Sequence, residues 1–576
     1  MPGTPYPKAQ MHRIAYTKLS PQQILDKLAP VARSGPTGAS TPSDVLAGKR
    51  MRIVTDKGPA LDYRFNGTGQ LSLSEDGGPF VKAGYRALTL DSVVFFSHMI
   101  PGSQRGYAVV VDRKTNLATV VELWFSGYQD NREVQRQIHY GYVDLPNPPP
   151  SARHVTTNRI EGHGYYWKQD TGAETLEFYP SAAYSHFVEL TRTGGEMGFC
   201  GPSDYIKIND ELYIYTRTEC EFSGTFTLYV IDLNRIEQVG VRLGFDASDA
   251  LEYYVFRGKG EWLGQIAQFE KFGDVSGDPV PPPAGAGKGA RRVYRPLQTM
   301  PKMTKAEVDA VVAKKTTVFG PRSPMAGNGG DPTDWLSGKT FTLRYDDGPV
   351  MDYRVQDAET LQWRKNGGGW TTARYQAWES APGVILFGHL LEGESNHDGH
   401  MIVADFDRGL VTCFRGYLNT PYFANEAGVE TMFGVVEMEG LVSPQYDRHH
   451  VTDEMLGRAM TWNYSPGLTS MHLYSTPHTV SWIIFTDSGA GGLEWSGPGN
   501  FVKIRDNLYF LYWLEEACNG TLGTILVNMR TMHDAGIGYH CGAEGLSLSQ
   551  MGAHSRHAGR FDVTKYYQFK TKGDAA

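Results

Sequence analysis

One stretch of this chain occurs twice, and the repeat limits what the rest can be. GPSDYIKINDELYIYTRTECEFSGT runs from Gly201 to Thr225, and GPGNFVKIRDNLYFLYWLEEACNGT runs from Gly497 to Thr521. Both open on Gly-Pro, share K-I-x-D-x-L-Y, carry Glu219 and Glu515 at the same point and close on Gly-Thr, at a constant offset. An apolar, aromatic run between Asp or Asn on one side and a Gly-containing turn on the other reads as a β-strand entering a turn. Alternate side chains of a strand face opposite ways. Tyr213, Tyr215, Arg217 and Glu219 therefore share one face of the earlier copy, and Tyr509, Leu511, Trp513 and Glu515 share that face of the later one.

The duplication extends beyond this strand. Leu46 to Phe65 and Leu336 to Val355 both contain L-x-G-K, D-x-G-P and D-Y-R, the pattern of a β-hairpin. Arg153 to Trp167 matches Arg448 to Trp462, His98 matches His389, and Asp112-Arg113 matches Asp407-Arg408. Within each half the order of strand signals recurs once more, more faintly. About eight strand signals per unit fit a small closed barrel. The expected fold is all-β: four antiparallel β-barrels in two tandem pairs, each half led by a short helix. Ser20-Pro21-Gln22-Gln23 and Thr304-Lys305-Ala306-Glu307 are the two helix starts, both of capping-box type. The domains are then an arm over 1–45, barrels over 46–150 and 151–273, a linker over 274–335 containing Pro281 to Pro283 and Gly285 to Gly289, and barrels over 336–445 and 446–576. The tail after Gly545, rich in Ser, His and Gly, reads as a surface wrap ending in a disordered Gly-Asp-Ala-Ala.

Composition removes several function classes. A net charge of −8 argues against a nucleic-acid partner. No apolar run reaches membrane-spanning length, and the N-terminus lacks the apolar core of a signal peptide, so a cytoplasmic protein is expected. Five cysteines (Cys200, Cys220, Cys413, Cys518 and Cys541) form no C-x-x-C pair and fit reduced thiols. His449-His450 and Tyr539-His540-Cys541 do not make a metal site, since neighbours on a strand diverge. Asn366-Gly367-Gly368-Gly369 reads as a turn, and no phosphate loop or dinucleotide fingerprint is present. Neither a metal nor a cofactor is expected.

With these residues on the page, the second half resembles a known family. LSGKTFTLRYDDG from Leu336, the Trp462 to Trp482 region and NLYFLYWLE from Asn507 to Glu515 are similar to the molybdenum cofactor biosynthesis protein F (MoaF) family, whose members pair two lipocalin-like (calycin) domains. The resemblance covers Leu336 to about Tyr539 and, more loosely, Leu46 to about Gly244. It implies two tandem MoaF-like halves of lipocalin-like barrels and says little about function. Phenolic acid decarboxylases are also lipocalin-like barrels. They hold a phenolic substrate with Tyr, Arg and Glu side chains, and the Tyr213, Tyr215, Arg217, Glu219 line is similar in kind.

The candidate catalytic residues are Glu219, Arg217 and His186 in the first half and Glu515 and His472 in the second. Each Glu is read as a general acid or base whose pKa an aromatic surround raises, or as the partner of a nearby Arg. Arg217 either holds a phenolate or carboxylate, or pairs with Glu219 or Glu177. Tyr179, Tyr184, Tyr213, Tyr215, Tyr474, Trp482, Tyr509 and Trp513 are candidates for holding an aromatic ring. Two functions follow. One is a cofactor-free lyase acting on a small aromatic or phenolic compound, by decarboxylation, retro-aldol loss of a small aldehyde, or hydration and dehydration. The other is a lipocalin-like carrier or sensor of a small hydrophobic molecule.

Overall fold

The computed structural model describes residues 17–126, 131–146, 148–181, 184–191, 198–219, 223–268, 301–421, 423–484, 493–516 and 519–567. Cys220, Cys518, the Pro-rich and Gly-rich linker and the C-terminal Gly-Asp-Ala-Ala lie outside these residues. The chain divides into two compact units, one built mainly from residues 10–294 and the other from 295–576. Each unit is led by a capped helix and contains two antiparallel barrels.

In the first unit, helix α1 (Pro21–Ser34) starts on a full capping box, with Ser20 and Gln23 satisfying each other's backbone N–H groups. The first barrel runs from Arg50–Thr55 to Val134–Val143, each strand pairing with its predecessor and the last closing onto the first through Ile53↔Val143. One of its strands is split into Val81–Gly84 and Arg86–Leu90. The cause is steric. The end of α1 crosses here, so a Cβ on Gly84 would lie 2.1 Å from the Gly35 nitrogen and 2.3 Å from the Ser34 carbonyl carbon. The second barrel closes eight strands from His163–Gln169 to Leu251–Gln265.

In the second unit, helix α2 (Lys305–Lys314) repeats the capping box with Thr304 and Glu307. The third barrel closes eight strands from Thr340–Tyr345 to Gly428–Glu437. Its strand Thr371–Ala381 runs unbroken, with Arg374 where the first barrel has Gly84. The fourth barrel starts at Arg458–Ser465 and is closed by His554–Arg560, which pairs back onto it. The residues after Gly545 are therefore barrel wall, not a surface wrap: Gly545–Met551 and His554–Arg560 are both strands. Gly545–Met551 alternates Leu with Ser, a period-two strand signal that the Ser-, His- and Gly-rich composition of the tail hid.

The structure also corrects one register. Asp112 and Asp405 each accept the N–H two residues on and shape the same turn, so the counterpart of Asp112 is Asp405 and not Asp407. Thr119–His154 (2.8 Å) and Thr412–His449 (2.9 Å) repeat beside them. His98 and His389 face the barrel interiors, where each meets a tyrosine: Tyr63 at 3.2 Å and Tyr353 at 3.1 Å. The three described cysteines, Cys200, Cys413 and Cys541, are buried.

The crossing at Gly84 generates a test. Gly84→Ala is expected to destabilise the first unit by about 1–3 kcal/mol, the usual cost of overpacking. Arg374→Ala, at the same wall position with no helix across it, is expected to change little. Thermal unfolding of the two variants measures both, and an unchanged melting temperature for Gly84→Ala contradicts the account.

Candidate functional site

Strand pairing decides which side chains face into each barrel, because residues directly opposite each other point to the same side. In the second barrel Arg217 faces Ser203 and Thr227, and Thr227 faces Arg242; on the other wall Glu177 faces Tyr165 and Phe187. All of these point inward. They assemble a chain of alternating charge. Arg217 holds Glu177 at 2.7 Å and reaches Glu219 at 3.5 Å. Arg242 holds Glu219 at 2.5 Å and Glu252 at 2.7 Å. Tyr215 donates to Glu177 at 3.0 Å, Ser223 donates to Glu219 at 2.6 Å, and the Arg217 guanidinium lies 3.6 Å over the Phe187 ring.

Burial opposes ionisation of Glu219, but Arg242 and Arg217 overcome it and hold its pKa well below the usual carboxylate range. The expectation of a raised pKa at Glu219 is thus reversed, because two arginines compensate its charge. The cavity lined by Arg217, Thr227, Tyr229 and Arg242 measures about 20 Å³. That is room for a water, far below the roughly 300 Å³ and more of small-molecule sites. The Tyr/Arg/Glu line is a closed ion-pair network.

The fourth barrel places different chemistry at the same wall positions. His472 stands where Glu177 does, Trp513 where Arg217 does, Gly538 where Arg242 does, and Glu515 where Glu219 does. Without the arginines the charge chain is gone. Glu515 accepts from the Trp513 indole at 3.0 Å and from Asn519. Burial raises its pKa despite these donors. His472, between Trp462 (5.5 Å), Trp513 (5.3 Å) and Tyr474 (6.2 Å between ring centres), is kept neutral by burial, its pKa lowered to about 3. Across the strand pair Trp482 shares its face. Asp534, opposite Val527, also points inward and is buried. Burial raises its pKa from 3.8 to about 7, while the Ala553 N–H on one carboxylate oxygen pulls it down. Burial pushes up the Tyr464 phenol, and nearby Asp534, Tyr474 and Glu515 push it further, so these four groups belong to one interior.

Not every sequence-predicted residue joins a site. His186 and Tyr184 lie on the opposite face of their strand from Phe187 and Ser185. His186 packs against Phe178 outside the barrel, because a strand cannot turn consecutive side chains inward. Tyr179, Tyr213 and Tyr215 belong to the apolar core of the second barrel. Tyr474, Trp482 and Trp513 line the fourth barrel, and Tyr509 gives its phenol to Glu454 (2.5 Å). Arg242, Glu252, Tyr464 and Asp534 were not found from sequence. The signal was there in register form: continuing the repeat puts Gln238 opposite Ile231 and Asp534 opposite Val527 at one point of the two barrels. A cleft of about 740 Å³ between turns of the second unit is lined by cations such as Arg408, Lys503 and Arg505. Those cations are held by Asp447, Glu454 and Asp405. Among the described residues no His, Cys, Asp or Glu cluster could hold a metal, and no helix is long and apolar enough to cross a membrane.

The fold defines an all-β protein of small antiparallel barrels whose interiors are lined by inward-facing side chains. Within it, residues 326–420 match the MoaF N-terminal domain and residues 449–560 the MoaF C-terminal domain, one barrel each, so the second half carries both domains of the MoaF family. No curated protein matches the chain. Among solved structures, the β-propeller domain of Nup133 from Vanderwaltozyma polyspora aligns over 81% of this chain and 99% of its own, at 9% identity and a TM-score of 0.07. A score that low carries no shared architecture.

Two measurements follow. Arg242→Met leaves Glu219 and Glu252 short of their cation and is expected to cost the first unit about 3–5 kcal/mol, read by denaturant unfolding. Asp534 acts in the opposite sense. Between about pH 4 and 7 the folded state holds a proton that the unfolded state has released, so the stability of the second unit falls as pH rises through that window. Asp534→Asn is expected to raise the melting temperature more at pH 8 than at pH 5, and an equal effect at both would contradict the assignment.

Proposed function

We propose that the fourth barrel is the working site of a cofactor-free lyase that acts on a small, uncharged aromatic compound. In this reading the first half is a second MoaF-like copy kept as structure. The observation that carries it is Glu515: a carboxyl with raised pKa, held by an indole donor beside Trp482 and His472, where the other half spends two arginines on the equivalent group. Trp462, Trp482 and Trp513 supply flat faces for a ring. A carboxyl whose pKa burial has raised keeps to higher pH the proton it gives to a leaving group, and as carboxylate it is a stronger base to take one back. In a dehydration, the C–O bond breaks as Glu515 protonates the leaving hydroxyl, and the carboxylate then removes the proton on the adjacent carbon. In retro-aldol loss of an aldehyde the Glu515 carboxylate takes the side-chain hydroxyl proton, the C–C bond beside that carbon breaks to release the aldehyde, and the electron pair left on the neighbouring carbon takes the proton back from Glu515. Decarboxylation is disfavoured, because Trp513 and Gly538 replace the two arginines that would hold a carboxylate. The Cys413 and Cys541 thiols fit a reducing compartment, which we take to be the cytoplasm.

The test is a panel of hydroxylated aromatic alcohols and arylpropanoids incubated with the purified chain, followed by mass and by tryptophan quenching. Glu515→Gln is expected to cut turnover by about 100-fold or more while quenching survives, with activity of the parent falling as pH rises through the Glu515 pKa. Full activity in Glu515→Gln rejects the mechanism. Quenching with unchanged ligand mass in the parent identifies a carrier instead.

A further inference from the structure

The interior of the fourth barrel holds polar atoms that its own packing does not use. One Asp534 oxygen takes the Ala553 N–H and the other has no partner. The Ser555 hydroxyl, on the strand that pairs with Trp462, and the His472 Nδ1 are likewise buried without one. A buried polar group left unpaired costs on the order of 1–3 kcal/mol, and the inward-facing Asp534 carboxyl and Ser555 hydroxyl are groups that a ligand's hydroxyl or carbonyl can satisfy. The point is also doubled in the chain. The second barrel carries Gln238 where the fourth carries Asp534, and neither atom of that amide has a partner. Both barrels thus keep a compact group able to donate and accept at this point.

Asp534 and Glu515 stand apart along the wall. Glu515 is joined to Thr521 through its backbone, and Thr521 meets His540 at 3.1 Å. His540 and Asp534 lie on the same strand, His533–Gly542, six residues apart, or roughly 20 Å of extended chain. Their side chains reach inward from there, and Tyr464 is within electrostatic reach of both acids.

We propose that Asp534 and Ser555 form a second polar subsite in the fourth barrel, taking a hydroxyl or carbonyl at the end of the ligand remote from Glu515. The ligand is then an elongated, uncharged aromatic compound with a hydrogen-bonding group at each end, of the arylpropanoid type. This rests on the fourth barrel being the working site, and it adds which molecules that site selects.

The experiment measures affinity by tryptophan quenching for three neutral probes. These are 4-hydroxycinnamyl alcohol, which carries both end groups, and cinnamyl alcohol and 4-propenylphenol, which each lack one. The parent is expected to bind the first about tenfold tighter than at least one of the others. Asp534→Leu is expected to abolish that preference. Asp534→Asn, which resembles Gln238 and keeps a donor and an acceptor, is expected to retain it, and so is Glu515→Gln. The asparagine variant also separates loss of the subsite from loss of the fold. A preference that survives Asp534→Leu, or that the parent lacks, overturns the subsite and leaves the lyase reading standing. Failure of all three probes to bind the parent overturns both.

Discussion

Strand closure with burial on both sides is the constraint on which this protein depends. In each unit two barrels pack by their outer walls, so many strands have one face inside a barrel and the other in a shared core. In the first unit Val93, Phe95, Leu228, Val230, Val239 and Val241 meet across that shared core, with Leu28 and Ala32 of α1 added to it. In the second unit Phe414 stacks on Phe510 at 4.1 Å within the equivalent layer. Strands covered on both faces carry little polar alternation, and every polar group pointing inward must find its partner inside the barrel.

That requirement is met differently in the four interiors. Near the end of the first barrel Arg105 pairs with Glu122 at 2.8 Å and with Glu75 at 3.3 Å. At the matching positions of the third barrel the polarity is exchanged: Asp398 pairs with Arg415 at 2.7 Å, and Lys365 stands in place of Glu75 and pairs with Glu394. The ion pair is kept although neither residue is. The second barrel solves the problem with five alternating charges, from Glu177 through Arg217, Glu219 and Arg242 to Glu252. The fourth removes the cations and leaves two carboxyls, Glu515 and Asp534, with raised pKa among tryptophans. One architecture therefore holds a charge-compensated interior and one whose carboxyls lack a cation, and the difference lies in Arg217 and Arg242 against Trp513 and Gly538.

The richest-looking strand in the sequence had two readings, and its geometry is that of the ion pair, with Arg217 on Glu177 and near Glu219. Tyr213, Tyr215, Arg217 and Glu219 share a face, as their spacing requires. What the spacing did not contain was Arg242, two strands away, which turns Glu219 from an acid-base candidate into half of an ion pair. His186 failed for a simpler reason: it is one residue out of phase with Phe187. Glu515, with fewer polar neighbours in the sequence, keeps a raised pKa because its donors are the neutral Trp513, Asn519 and Trp482 rather than arginines.

By itself the sequence determined the strand-rich class, the duplication, both capped helices and, through period-two alternation, which side chains of a strand share a face. These are local properties, set by bond geometry and by residues close in the chain. Only the tertiary structure decided which strands closed each barrel, including the two after Gly545, and which charges met inside. Those outcomes depend on groups such as Glu219 and Arg242, or Asp534 and Ala553, that pairing brings to hydrogen-bond distance from separate strands. A pKa is set by that final neighbourhood, so the half with uncompensated carboxyls could be told from the charge-compensated half only after the barrels were closed.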